Sequence, residues 1–309
     1  MTATPLLPAI TVDTGRDPDA SVIWMHGLGD TGHGWSQVVP ELGLPPTLSV
    51  RFVFPHAPSM PVTINQGYVM PAWYDIRAAD LTSRADLAGV GASRNRIEAM
   101  VAAERARGVA ASRIVLAGFS QGGVIALHTG LRQAERLAGI VGLSTYLVDP
   151  ASLAAEASDA NRAVPILLAH GLRDPVIRYE WAEASRGALE KGGWKVEWHA
   201  YPMEHEACHA EIRARPSARP TAALRGSAFR PTGFVETRGE GVGLKPDRQH
   251  ALRGSAFRPT DFPASRHRRR AEARPTDPRP CPPACRGGRA SARSPAPPAR
   301  RAAGTRSAR

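Results

Sequence analysis

The 309-residue chain carries 40 Lys and Arg against 28 Asp and Glu, a formal net charge of +12, which first suggests a polyanion partner. The charge is uneven: residues 1–212 hold 17 basic and 22 acidic groups, and residues 213–309 hold 23 basic and 6 acidic groups. Three cysteines exclude a disulfide framework and favour a reducing compartment. No leader-like start and no run near the ~18 apolar residues of a membrane span is present, so the cytoplasm is the expected location.

In chain order, Ser21-Val22-Ile23-Trp24-Met25 is an apolar run that ends at the glycine-rich loop His26-Gly27-Leu28-Gly29-Asp30-Thr31-Gly32. A short helix is expected from Gly34 to Leu42, then a strand at Arg51-Phe52-Val53-Phe54-Pro55. Pro55, Pro58 and Pro61 open a long irregular segment that reaches Met70-Pro71-Ala72-Trp73-Tyr74-Asp75-Ile76, and a loop of that length usually serves a function. Leu87, Val90, Ile97, Met100 and Val101 recur at helical spacing, and Gly108 stops that helix.

A strand, a sharp turn and a helix follow at Ile114 to Leu127, where the turn reads Gly118-Phe119-Ser120-Gln121-Gly122. Leu137–Ser144 and Val164–Gly171 are further buried strands. Ile177, Trp181, Ala184 and Ala188 line a helix closed by Gly192-Gly193, and Lys195–Tyr201 alternates like a strand nearer a sheet edge. Strands separated by helices in this way imply an α/β fold, with a mostly parallel twisted sheet carrying helices on both faces.

The composition changes after Ile212. Half of the chain's 28 prolines lie beyond it, the basic residues are almost all Arg, and Ala223–Thr232 recurs verbatim as Ala251–Thr260. Two copies of ten residues do not make a solenoid, and so little apolar surface cannot offset the entropy of ordering. The reading is an α/β domain over residues 1–212 and a disordered low-complexity extension over residues 213–309. Cys281-x-x-x-Cys285 has loose metal-ligand spacing but no second pair to complete a site, so no metal or cofactor is expected.

Gly-x-Ser-x-Gly between a buried strand and a helix points to nucleophilic catalysis, because this turn exposes the serine hydroxyl at the carboxyl end of the sheet. A serine needs an imidazole to take its proton and a carboxylate to hold that imidazole. In this fold the acid and then the histidine should follow the serine, each in a loop after a strand. Asp174, after Val164–Gly171, and His205, after Lys195–Tyr201, fall in those places. The backbone amides of Gln121 and Leu28 are the expected oxyanion donors.

Bland alternatives exist for each residue. For Asp174 the alternative is a plain helix cap, and Asp149 is a rival acid; His170, His199 and His209 are rivals to His205. His26 is expected to orient the oxyanion loop, and His170 to brace its own loop.

These residues also carry a resemblance. The chain resembles the phospholipase/carboxylesterase family of α/β-hydrolases, which includes acyl-protein thioesterases and small bacterial carboxylesterases. The matching text is His26-Gly27-Leu28-Gly29-Asp30, Pro55-His56-Ala57-Pro58, Trp73-Tyr74-Asp75-Ile76, Gly118 to Gly123, Leu143 to Leu147, His170-Gly171 with Asp174, and Tyr201-Pro202-Met203 with His205. The resemblance implies cofactor-free hydrolysis of carboxylic esters or thioesters through an acyl-Ser120 intermediate, and short- to medium-chain acyl groups are the expected substrates. It also implies that Met70, Trp73 and Leu147 flank an acyl-chain groove, and that two copies pair as a homodimer. For Met70 and Trp73, plain core packing is the competing expectation.

The match fails at the end. A last helix begins over Glu206 to Ile212, but Pro216 and Pro220 would break it. Two other functions therefore stand beside the esterase: an inactive hydrolase, or a polyanion-binding protein acting through its basic tail. The tail has no Trp or Tyr, and Phe229, Phe234, Phe257 and Phe262 are sparse stacking platforms for so long a basic segment, which disfavours nucleic acid.

Overall fold

The computed structural model describes residues 4–78 and 85–213. The expected extension beyond Arg213, with its repeat, Cys281 and Cys285, lies outside the described residues.

The main sheet is built from β1 (Ala9–Asp13), β2 (Ala20–Met25), β3 (Val50–Pro55), β6 (Ile114–Phe119), β7 (Gly139–Leu143), β8 (Ile166–Gly171) and β9 (Val196–Tyr201), in the order β1-β3-β2-β6-β7-β8-β9. A separate hairpin pairs β4 (Ser59–Val62) with β5 (Tyr68–Pro71). Helices α1 (Gly32–Ser36), α2 (Leu87–Ala106), α3 (Gln121–Arg132), α4 (Leu153–Glu156), α5 (Tyr179–Lys191) and α6 (His209–Ile212) complete the described fold.

Within the main sheet of the described residues every pairing from β3 across to β9 is parallel, and only β1, against β3, is antiparallel. Alternate side chains serve opposite faces of the sheet. Ile23 and Met25 of β2 join the core under α2, α3 and α5, together with Leu116, Ile140, Leu168, Ile97, Leu127 and Leu189. Trp24 of the same strand joins the other core, with Trp35 of α1, Phe52, Phe54 and Ile212 of α6. Helices therefore lie on both faces, as the run of strands and helices implied. Each fully buried Ile, Leu or Phe contributes about 1.5–3 kcal/mol, so these two layers supply most of the driving force.

Two elements depart from the sequence reading. β1 is an edge strand in which Ile10 and Val12 are half-buried and the other three residues exposed, too short and weakly apolar to stand out. The irregular segment after Pro55 contains the β4–β5 hairpin. Its prolines sit where a two-stranded ribbon tolerates them, because each strand has a free edge. The helix expected over Gly34–Leu42 is split into α1 and a separate 3₁₀ turn at Val39–Leu42, where Pro40 interrupts regular hydrogen bonding.

Candidate active site

Ser120 joins β6 to α3 with φ 53° and ψ −120°, a backbone conformation that side-chain-bearing residues adopt only under constraint. The constraint comes from both sides. Its N–H donates to the Leu143 carbonyl at 2.8 Å, and its carbonyl accepts from Thr145 Oγ1 at 2.8 Å. The flanking glycines allow the turn to close. A Cβ on Gly118 would run into the Gly122 backbone, and one on Gly122 would run into the Met25 and His26 carbonyls.

The loops after β8 and β9 bring up the other two groups. They are stitched together: Leu172 N–H donates to the Tyr201 carbonyl at 2.8 Å, and Arg173 N–H to the Met203 carbonyl at 3.1 Å. His205 Nδ1 lies 2.7 Å from Asp174 Oδ2, and His205 Nε2 lies 2.9 Å from Ser120 Oγ. A carboxylate only accepts, so the imidazole hydrogen is on Nδ1 and Nε2 is free to accept from the serine hydroxyl. Asp174 is held on its other oxygen, where Oδ1 accepts from the Val176 and Ile177 amides at 2.8 and 2.9 Å. It thus caps a turn and faces His205 at once. Phe119 packs on the His205 ring at 4.9 Å and fixes its plane.

The rival groups are engaged elsewhere. Asp149 accepts from the Ser152 amide, His199 lies 2.9 Å from Glu197, and His209 lies 3.4 Å from Glu41. His170 is fully buried behind Asp174. Its Nε2 donates to the Ile177 carbonyl at 2.8 Å and stands 3.4 Å from Asp174 Oδ2, so it braces the acid's turn. Burial holds its pKa below the usual histidine value, against the pull of Ile177 and Asp174.

The amides of Leu28 and Gln121 meet no acceptor among the described residues. Gln121 is the first residue of α3, where an amide lacks an intrahelical partner and the helix field favours negative charge. The Leu28 loop lies close by, since a Cβ on Gly27 would sit 3.5 Å from Ser120 Cβ.

Met70, Trp73 and Leu147 are all buried. Met70 packs with Val62 and Ala72 in the small cluster of the hairpin, and Leu147 lies in the main core. Trp73, 1% exposed, is enclosed: its indole N–H donates to the His26 carbonyl at 2.9 Å and its ring tilts on His26 at 5.3 Å. Sequence reasoning missed the Gln121 side chain. Its Oε1 accepts from Trp73 N–H at 2.8 Å, and its Nε2 donates to the Tyr74 carbonyl at 2.7 Å. No local pattern announces contacts between residues 48 and 47 positions apart. The buried Tyr74–Tyr146 hydroxyl pair, 3.2 Å apart, was hidden for the same reason.

No group of three His, Cys, Asp or Glu among the described residues is placed to hold a metal, and no described helix is long and apolar enough to cross a membrane.

With this geometry in view, the sequence profile described as phospholipase/carboxylesterase matches residues 8–215. The chain belongs to the phospholipase/carboxylesterase family. This family member is 41% identical over 218 residues to acyl-protein thioesterase 1 of Neurospora crassa, a match covering 68% of the chain and 87% of that protein. It is 40% identical over 215 residues to acyl-protein thioesterase 1 of Mycosarcoma maydis, covering 65% of the chain and 90% of that protein. Among solved structures, Zea mays acyl-protein thioesterase 2 superposes with a TM-score of 0.60 at 28% identity, covering 67% of this chain and 94% of that one. Arabidopsis thaliana SOBER1 gives 0.60 at 27% identity, covering 63% and 94%. The fold is that of an α/β-hydrolase, and the protein is an ester hydrolase of the carboxylesterase/thioesterase class.

Proposed function

We propose that this hydrolase cleaves short- to medium-chain acyl esters or thioesters through a covalent acyl-Ser120 intermediate. The observation that carries the reading is the unbroken hydrogen-bonded line from Ser120 Oγ through the His205 ring to Asp174. Ser120 Oγ attacks the acyl carbon while His205 Nε2 takes its proton. The carbonyl oxygen becomes an oxyanion held by the Leu28 and Gln121 amides. His205 then gives the proton to the departing alcohol or thiol, leaving acyl-Ser120. Water attacks next, losing a proton to His205, and the collapse releases the carboxylic acid and restores Ser120. Asp174 keeps the imidazole in the correct tautomer and stabilises its transient charge throughout.

No cofactor enters these steps. We assign acyl-chain contacts to Met70 and Leu147 and the catalytic unit to residues 1–212, with a homodimer in the cytoplasm as the working form. The acyl-protein thioesterase relatives extend the substrate class to S-acylated thiols.

A chain-length series of p-nitrophenyl esters and matched thioesters, given to wild type and Ser120→Ala, tests the reading. Wild type should turn over the shorter chains, show a fast initial release of nitrophenol, and gain the mass of one acyl group on Ser120. Ser120→Ala should lose at least about 10³-fold in kcat. Turnover by Ser120→Ala within tenfold of wild type would sink it.

A further inference from the structure

This inference rests on the serine-hydrolase reading and concerns what aims its oxyanion hole. The Leu28 amide must face Ser120, yet a Gly-Leu-Gly loop has no intrinsic preference that would keep it there. Hydrogen bonds from distant residues supply the constraint. Ala57 N–H donates to His26 Nε2 at 3.0 Å, so that nitrogen carries no hydrogen and the ring's N–H is on Nδ1. Nδ1 lies 2.7 Å from the Gly27 carbonyl and therefore donates to it. The Trp73 indole N–H donates to the His26 carbonyl, and Gly29 N–H donates to the Pro71 carbonyl at 2.9 Å.

In a planar trans peptide the carbonyl and the following N–H point in opposite directions. Holding the Gly27 carbonyl therefore sets the direction of the Leu28 N–H. Holding the His26 carbonyl sets the plane before it.

Trp73 is itself anchored from the nucleophile side. Gln121 clamps the Trp73 amide and the Tyr74 carbonyl, and Ser93 Oγ donates to the Trp73 carbonyl. The same short segment thus ties the first residue of α3 to the glycine loop, joining both oxyanion donors in one rigid unit. Burial keeps the His26 pKa down, at about 4, against the Gly27 bond, so the ring stays neutral and keeps both contacts.

We propose that Trp73 and His26 are positioning residues for the oxyanion hole. Their ring N–H groups hold the two carbonyls that orient the Leu28 amide toward Ser120, and Trp73 thereby acts as a brace and not as a wall of the acyl groove.

Trp73→Phe removes the indole N–H while keeping an aromatic ring in place. Each rate is counted per active site, titrated with a fluorophosphonate, so loss of folded protein does not enter. The brace predicts a fall in kcat of about tenfold at every acyl chain length, with KM within twofold. It also predicts about tenfold weaker binding of a boronic acid, whose tetrahedral adduct on Ser120 places an oxygen in the hole. An altered KM that varies with chain length at unchanged kcat would make Trp73 a groove wall and overturn the proposal.

His26 offers a second, independent pair of variants. In His26→Asn the amide nitrogen reaches the place of Nδ1 and donates to the Gly27 carbonyl, so this variant should retain at least tenfold more kcat than His26→Leu. Equal rates for the two would also overturn the proposal. Ser120→Ala separates the two levels of the argument. If it stays active, the serine-hydrolase reading has failed; if it is dead while the Trp73 and His26 variants keep wild-type kcat, only the brace has failed.

Discussion

Replacing Asp174 by Asn changes one atom, and the structure says where the effect should fall. The Asp174 carboxylate accepts three hydrogen bonds, from the Val176 and Ile177 amides on Oδ1 and from His205 Nδ1 on Oδ2. An asparagine keeps the first two by presenting its carbonyl oxygen to the backbone. Its NH₂ group then faces His205 Nδ1 and can only donate, which forces the imidazole hydrogen onto Nε2, the atom that must accept from Ser120. The base is lost while the turn is kept. Loss of the correct tautomer in such a triad costs about 10⁴-fold in kcat, whereas stability should change by less than about 1 kcal/mol. Asp174→Ala provides the contrast. It strands two amides at about 1–3 kcal/mol each when buried, so it should lose about 2–6 kcal/mol out of a typical 5–15 kcal/mol as well as activity. The assay is p-nitrophenyl butyrate hydrolysis beside urea unfolding of all three proteins. If Asp174→Asn kept kcat within tenfold of wild type, the assignment of Asp174 as the orienting acid would be wrong, whatever its distance from His205.

Two further outcomes follow from other parts of the molecule. Burial pushes the Glu211 carboxyl up to about 8, against the bond from the Cys208 amide. A raised carboxylate pKa means that the folded state holds the proton, so the stability it contributes is full below about pH 4.5 and is lost as pH rises through about 8. At about 1.4 kcal/mol per unit this amounts to about 5 kcal/mol. Glu211→Gln should flatten the slope and be the more stable protein at pH 8; parallel urea-stability curves for the two between pH 5 and 9 would contradict this. Gly122→Ala forces a methyl group into the Met25 and His26 carbonyls, so the turn at Ser120 must shift. A loss of about 1–3 kcal/mol and about 100-fold in kcat per titrated site is expected, and calorimetry with wild-type melting and unchanged kcat would refute the packing argument.

The sequence by itself determined the order of strands and helices, the parallel sheet and the three groups that meet at Ser120. Those features are written locally. A buried strand shows itself by its β-branched run, the turn at Ser120 requires its glycines within two residues, and Asp174 and His205 each sit just beyond a legible strand. What the sequence left open is what depends on distant partners. Its local pattern did not reveal β1, which gains its identity by pairing with β3. The β4–β5 hairpin looked irregular because its prolines obscure any alternation. Trp73 could have been core or groove from its neighbours alone, since the acceptor of its indole N–H is the His26 carbonyl 47 positions away. The Gln121 side chain and the protonation of His26 are settled the same way, by hydrogen bonds that exist only once the sheet has brought separate loops to one end. Pattern along the chain specifies elements because backbone geometry repeats over a few residues. The aim of a single N–H is set by whichever group the folded chain places opposite it.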